Sequence, residues 1–210
     1  MDWATISALA TAFGTLVLAL ATFASVRSAN MAARTAERAL AFNLRPLLFQ
    51  SRLHDPPQKI TWIDRRVHRL DGGHGVAEVT DDVVYLALGL RNAGAGMAVL
   101  QAWRPSTDFE NMRQDSPAPL DSFRRQTRDL YIPPDDVGFW QGAIREQSDE
   151  LFAPLAKTIT AREPFLVEIL YVNTEGGQRT VSRFLFLPTE NDGWLCTVGR
   201  HFSLDHDLPR

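Results

Sequence analysis

Arg124, Arg125 and Arg128 crowd one short stretch of this chain, between Pro117-Ala118-Pro119 and Pro133-Pro134. A guanidinium presents a planar fork of donors that two oxygens of a carboxylate or phosphate match. The segment around them, about 104–136, has few strand signals, and a loop of that length in a compact domain tends to be functional. It is the first place to look for a binding surface. An acidic protein partner or a lipid phosphate is the chemistry these arginines suit; a solvated charged loop is the plain alternative.

Other reactive residue types fall in less promising patterns. "YLALGLRNAGAGMAVLQAW" (85–103) holds Gly89, Gly94 and Gly96 at the end of an apolar run. A phosphate-binding loop would need its glycines to open a helix, and a P-loop needs a following Gly-Lys-Ser/Thr. Here β-prone residues follow, so the glycines are expected to shape a strand-to-strand turn, with Asn92 and Gly94 in the left-handed region. His68 and His74 flank an Asp-Gly-Gly turn at a spacing that matches no zinc signature, and His54 stands alone. "HFSLDHDLPR" gathers His201, Asp205, His206 and Asp207 in a tail, where side chains are usually solvated. No G-x-S-x-G elbow is present. Cys196, the single cysteine, sits in a strand-like run and reads as a small core thiol. Asp135-Asp136 after two prolines reads as a turn. The chain is therefore read as non-enzymatic, with no metal or cofactor site.

Something must position the arginines, and composition limits what it is. Hydrophobic residues are 45% of the chain and charged residues 22%, which supports a packed core. The net charge of −3 gives no footprint for nucleic acid. Basic charge is almost all arginine; Lys59 and Lys157 are the only lysines.

Residues 3–26 carry no charge. As a helix they extend about 36 Å, against a hydrocarbon core of about 30 Å. The expectation is a transmembrane helix that acts as an uncleaved signal anchor, because Asp2 precedes it and the apolar run is long for a secretory signal. Arg27, Arg34, Arg38, Arg45 and Arg52 follow it, against the single acid Glu37. The positive-inside rule then places the N-terminus outside the cell membrane and the C-terminal domain in the cytoplasm, a single-pass topology. Ala4, Ala8, Ala12, Thr15 and Ala19 line one face with small residues, where a second transmembrane helix can approach closely. That helix could belong to another protein or to a second copy. Good helix formers continue the helix as a stalk to about Leu44, ahead of Pro46.

From Arg45 the pattern changes to short β-like runs: 45–53, 59–70, 82–92, 96–103, 137–146, 164–173, 179–187 and 194–202. The runs at 164–187 form a hairpin around "NTEGGQ". One helix is expected at 148–160, with Ser148 as its cap. Strands without intervening helices point to an immunoglobulin-like antiparallel β-sandwich over residues 45–210, mainly β, behind a helical unit of 1–44.

"LGLRNAGAGMAVLQAW" and "ILYVNTEGGQRTVSRFLF", set on this layout, resemble a group of uncharacterised bacterial single-span membrane proteins with a small β-sandwich domain. The resemblance implies the architecture and no activity. Two functions fit. One is a membrane-anchored interaction or scaffold module that presents the sandwich to a partner protein. The other is a small-ligand binder or an enzyme. A flat apolar patch would favour the first; a deep pocket with convergent polar groups would favour the second.

Overall fold

A computed structural model describes residues 2–108 and 113–205. The chain divides into two compact units, Met1–Asn43 and Leu44–Arg210.

The first unit is a single helix, α1 (Trp3–Asn43). It is long and apolar enough to cross a membrane. Hydrocarbon offers no partner for a hydroxyl, and the helix supplies its own: Thr11, Thr15 and Thr22 donate to the carbonyls of Ser7, Thr11 and Leu18 at 2.9, 2.8 and 2.8 Å. Ala4, Ala8, Ala12, Thr15 and Ala19 are all exposed. The helix ends before Arg45-Pro46, as the proline requires.

The second unit is an antiparallel β-sandwich. Its strands are β1 (Leu48–Gln50), β2 (Gln58–Thr61), β3 (Val67–Leu70), β4 (His74–Thr80), β5 (Val83–Asn92), β6 (Ala98–Ser106), β7 (Arg124–Arg125), β8 (Tyr131–Ile132), β9 (Val137–Ile144), β10 (Phe165–Val172), β11 (Thr180–Pro188) and β12 (Trp194–Ser203). β5 pairs β9 along Val84–Arg91. It also pairs β4 along Val83–Leu88 and β1 along Leu90–Asn92. Since the β9 register overlaps both, β4 and β1 share the other edge of β5. The second layer runs β12-β11-β10-β6, with β7 and β8 both on β6. Only the pairs Trp194↔Gly75 and Leu195↔His74 join β12 to β4, so the layers meet at one corner. Leu86, Leu88 and Leu90 face Val167, Ile169, Phe184 and Phe186 across the core, with Trp140 beside them. α2 (Phe152–Thr160) closes one end with Leu155 and Ile159.

Residues 59–70, expected as one strand, form the hairpin β2–β3 instead. The reason is Arg65, whose φ of 67° turns the chain. Ile60, Trp62 and Leu70 then pack on Tyr85 and Ala87, the outer face of β5. β5 is thus covered on both sides, which accounts for its unbroken apolar run. Two further expectations need correction. The cap of α2 is Leu151, not Ser148, and Pro154 sits in the first turn, where its missing N–H breaks no helical bond. β4 was hidden in "HGVAEVT", where alternation is weak.

The glycine turn is confirmed as a turn, with a different cause. Neither Asn92 nor Gly94 has a positive φ. Asn92 is a buried clamp: its Oδ1 accepts from Leu47 N (3.1 Å) and Gly94 N (3.0 Å), and its Nδ2 donates to Gly96 O (2.7 Å) and Ile132 O (3.0 Å). That closeness leaves no room for a side chain. A Cβ on Gly94 would strike the backbone of Arg45, Pro46 and Leu47, and one on Gly96 the carbonyl of Leu44. Gly94→Ala is expected to destabilise the domain by about 1–3 kcal/mol, read as a shift in the urea midpoint of the detergent-solubilised chain.

A second buried network ties β1 to β10, β11 and β12. Tyr171 Oη accepts from Leu48 N (3.2 Å) and lies 2.9 Å from Ser182 Oγ, which is 2.7 Å from His201 Nδ1. Ser182 is fully buried, so this serine–histidine contact is structural. Burial, and secondarily the Arg45 charge, hold His201 down to about 4. The unfolded chain takes up that proton near 6.5. The network therefore contributes fully above about pH 6.5, and its contribution falls away as pH drops through 4. The loss at low pH is about 3 kcal/mol by linkage. Denaturant titrations between pH 7 and 4 should show this slope, and His201→Gln should flatten it.

Candidate functional site

The sandwich does not close where β9 and β7 lie. β9 pairs only β5, and the short β7 is the outer partner of β6. An edge left this way exposes a row of backbone donors and acceptors. Here side chains take up part of that row. Gln126 Nε2 donates to Gln141 O, a carbonyl of that edge, at 3.0 Å, while Trp62 Nε1, from the turn after β2, donates at 3.2 Å to Gly142 O, a carbonyl directed toward β5. Gln141 Nε2 and Arg128 Nη1 both reach Thr61 O, at 3.4 and 3.5 Å. These bonds draw three separate segments, 61–63, 124–128 and 141–145, around one cleft of about 650 Å³.

The floor is apolar. Trp62 and Trp103 keep only 4% and 5% of their surface exposed. Trp103 packs edge-on against Trp140, with ring centroids 5.2 Å apart. Gly142 permits this, because a Cβ there would meet the rings of Trp103 and Trp140 at 2.8 and 2.9 Å. A glycine inside a strand commonly marks such a close approach. The rim is charged: Arg125, Arg128 and Arg145 are exposed, and Arg124 is half-buried over the face of Trp103. Ile63, 90% exposed, stands among them on the rim.

The four arginines are of two kinds. Arg124 pairs with Asp149 at 2.5 Å, and Arg145 with Asp64 at 3.1 Å. Burial raises the pKa of both acids, yet each ends below the ordinary carboxylate range. Asp64 is held there by Tyr85 Oη, Arg66 N and Arg145, and Asp149 by Arg124 and Leu151 N. Tyr85 is pushed up in turn, first by burial and then by its bond to Asp64. Arg125 and Arg128 carry no ion pair among the described residues. Below the surface, Arg124 Nε, Gln126 Oε1 and Gln141 Oε1 are buried with no hydrogen-bond partner. Buried polar atoms are nearly always satisfied, so three without a partner among the described residues, grouped around one cleft, single it out as the candidate site.

The structure thus brings Arg124, Arg125 and Arg128 together and adds Arg145, Trp62, Trp103, Gln126, Gln141 and Gly142, which the sequence reading did not assign to a site. Gly142, interrupting the apolar run "FWQGAI", was the one local signal for them. The remaining candidates are dispersed. His68 lies on β3, 3.5 Å from Glu78, and His74 Nδ1 is 2.7 Å from Gly72 O on β4. His54 lies in an exposed loop. Asp205 pairs with Arg179 at 2.7 Å; His206 and Asp207 lie outside the described residues. Cys196 is buried, which pushes its thiol well up. Asp135 and Asp136 occupy a turn, with Asp135 at φ 58°. Among the described residues no group of three or more histidine, cysteine or acidic residues is placed to hold a metal.

No family model matches the chain, and no curated protein matches it. Among solved structures, a crystal structure of a protein from Archaeoglobus fulgidus is similar at 10% identity and a TM-score of 0.25, over 64% of this chain and 95% of that one. So low a score carries no argument about either fold or function.

The two kinds of arginine should separate by mutation. Arg124→Gln leaves Asp149 unpaired and uncovers Trp103, and should cost about 1–2 kcal/mol in denaturant unfolding. Arg125→Gln and Arg128→Gln, both exposed, should stay within about 0.5 kcal/mol of the parent.

Proposed function

We propose that this protein is a membrane-anchored, non-enzymatic recognition module whose β-sandwich binds an anionic ligand in the arginine-lined cleft. The convergence of Arg124, Arg125, Arg128 and Arg145 on one cavity of about 650 Å³ carries the reading. That volume falls within the range of small-molecule sites, about 300–1,000 Å³. Around a desolvated tryptophan floor, guanidinium groups bind oxyanions more strongly than they do in open water. Of the two classes the sequence left open, this favours a ligand pocket over a flat protein-docking patch. The described lining offers no carboxylate, imidazole or thiol to act as base or nucleophile, which is why binding is proposed and not catalysis.

Inorganic tripolyphosphate is a suitable probe of the anion site, read by intrinsic tryptophan fluorescence of the solubilised full-length chain. Saturable binding that weakens with salt is expected, and Arg125→Glu with Arg128→Glu should weaken it at least about tenfold. Equal binding by that double variant, or none by the parent, overturns the reading.

The anchor belongs to the same proposal. α1 spans the cell membrane once, and the arginines at 27, 34, 38, 45 and 52 hold the sandwich in the cytoplasm. The face of Ala4, Ala8, Ala12, Thr15 and Ala19 is where a second helix, from another membrane protein or another copy, would pack. A C-terminal alkaline phosphatase fusion should be inactive and a fluorescent-protein fusion bright; the reverse pattern refutes the orientation.

A further inference from the structure

Resting on the anion-binding reading, we infer that the ligand of the cleft is a phosphorylated polyol: a hydroxyl-bearing ring or chain that carries a phosphate. The cleft asks for two chemistries at once. Arg125 and Arg128 offer donors to an oxyanion and have no carboxylate among the described residues to neutralise them. Beside them, Gln126 Oε1 and Gln141 Oε1 are acceptors without a donor. Gln141 is 92% buried, since only 8% of its surface is exposed. Each of these amides already uses its Nε2 on a main-chain carbonyl, which fixes the oxygen as the unmet end. A buried acceptor in this state is destabilising until something donates to it. A fully ionised anion has only acceptors, and hydrogenphosphate brings a single O–H against two unmet oxygens. A ligand with O–H groups can donate to both, once the amides turn toward the cavity that both glutamines line, and Thr127, exposed, lines the same cleft.

The competing ligand classes fit less well. Inorganic phosphate would leave most of a cavity of about 650 Å³ unfilled. A nucleotide needs an open aromatic face to stack on, and Trp62 and Trp103 are almost wholly covered. An extended acidic peptide would add to the edge of β9, but the outward carbonyl of Gln141 is already taken by Gln126. A compact polyol ring meets the covered tryptophans by their edges and the amides by its hydroxyls, while its phosphate lies at the arginine rim.

The test uses the full-length chain in a polyoxyethylene detergent, whose headgroup carries neither phosphate nor sugar. myo-Inositol 1-phosphate should bind at least about tenfold more tightly than inorganic phosphate, and more tightly than myo-inositol. Gln126→Met should bring its affinity to within about threefold of inorganic phosphate while tripolyphosphate binding is kept. Thr127→Val, on the exposed wall, repeats the measurement where the amide variant perturbs folding. If tripolyphosphate binds but the inositol phosphate is no better than inorganic phosphate, the polyol assignment fails and the anion site stands. If neither binds, both fail. Mixed micelles containing phosphatidylinositol identify the source: displacement of the soluble ligand assigns the polyol phosphate to a lipid headgroup. Binding of the soluble compound alone, with no displacement, assigns it to a free metabolite; either result supports the inference.

Discussion

The unpaired edge of β9 is the constraint around which the candidate site is built. A strand buried along one edge and open along the other must still satisfy its outward carbonyls, or it invites another chain to pair with it. This domain meets the outward carbonyl of Gln141 with the Gln126 amide rather than with a further strand. Side chains reach such an edge from a distance, so the segments that carry them stand off. The space they leave is the cleft. Closing the sandwich with one more strand would have removed both the hazard and the cavity.

The same logic of coverage explains why the hairpin β2–β3 exists. β5 is apolar on both faces, and the opposite layer covers only one of them. Ile60, Trp62 and Leu70 bury the other, and Trp62 serves twice: its ring packs edge-on against Tyr85 at 5.3 Å, and its N–H bonds Gly142 O of β9. Asn92 plays a comparable part at the end of β5, where four hydrogen bonds pull Leu47, Gly94, Gly96 and Ile132 to one side chain. An isolated buried amide would be costly; one with every donor and acceptor matched fixes a single arrangement of three loops.

Much of the scaffold was legible in the chain, because β propensity and hydrophobic runs report on single segments. α1, the hairpin from β10 to β11 and the position of β5 all follow from local pattern, as does the turn nature of the Gly94 loop. What was not legible depends on chain segments far apart. Gly94 was expected to be glycine for its φ and is glycine for the nearness of residues 45–47. The turn at Arg65 depends on a positive φ at a residue that seldom adopts one. The arginines at 124–128 could be named as binders from their density. Their complement lies well outside that stretch, Thr61 and Trp62 at least 62 residues before Arg124, Gln141 and Arg145 at least 13 after Arg128, and no spacing rule connects them.

Arginine is used in this domain in three settings that differ in what surrounds the guanidinium. Arg183 lies directly across from Glu168 on neighbouring strands, both almost fully buried. Its two bonds to Glu168 Oε1, at 2.9 and 2.6 Å, leave donors for the carbonyls of Gln114 and Ser116. There every charge is matched, and the pair straps residues 114–118 across the outer face of β10 and β11. Arg124 is intermediate: it pairs with Asp149 and covers Trp103, yet its Nε has no partner. Arg125 stands at the other limit, exposed and without a carboxylate. A charge in that last setting adds little to folding, since water already solvates it. From Arg183 through Arg124 to Arg125 the guanidinium thus passes from matched and buried to exposed and, among the described residues, unmatched by a carboxylate.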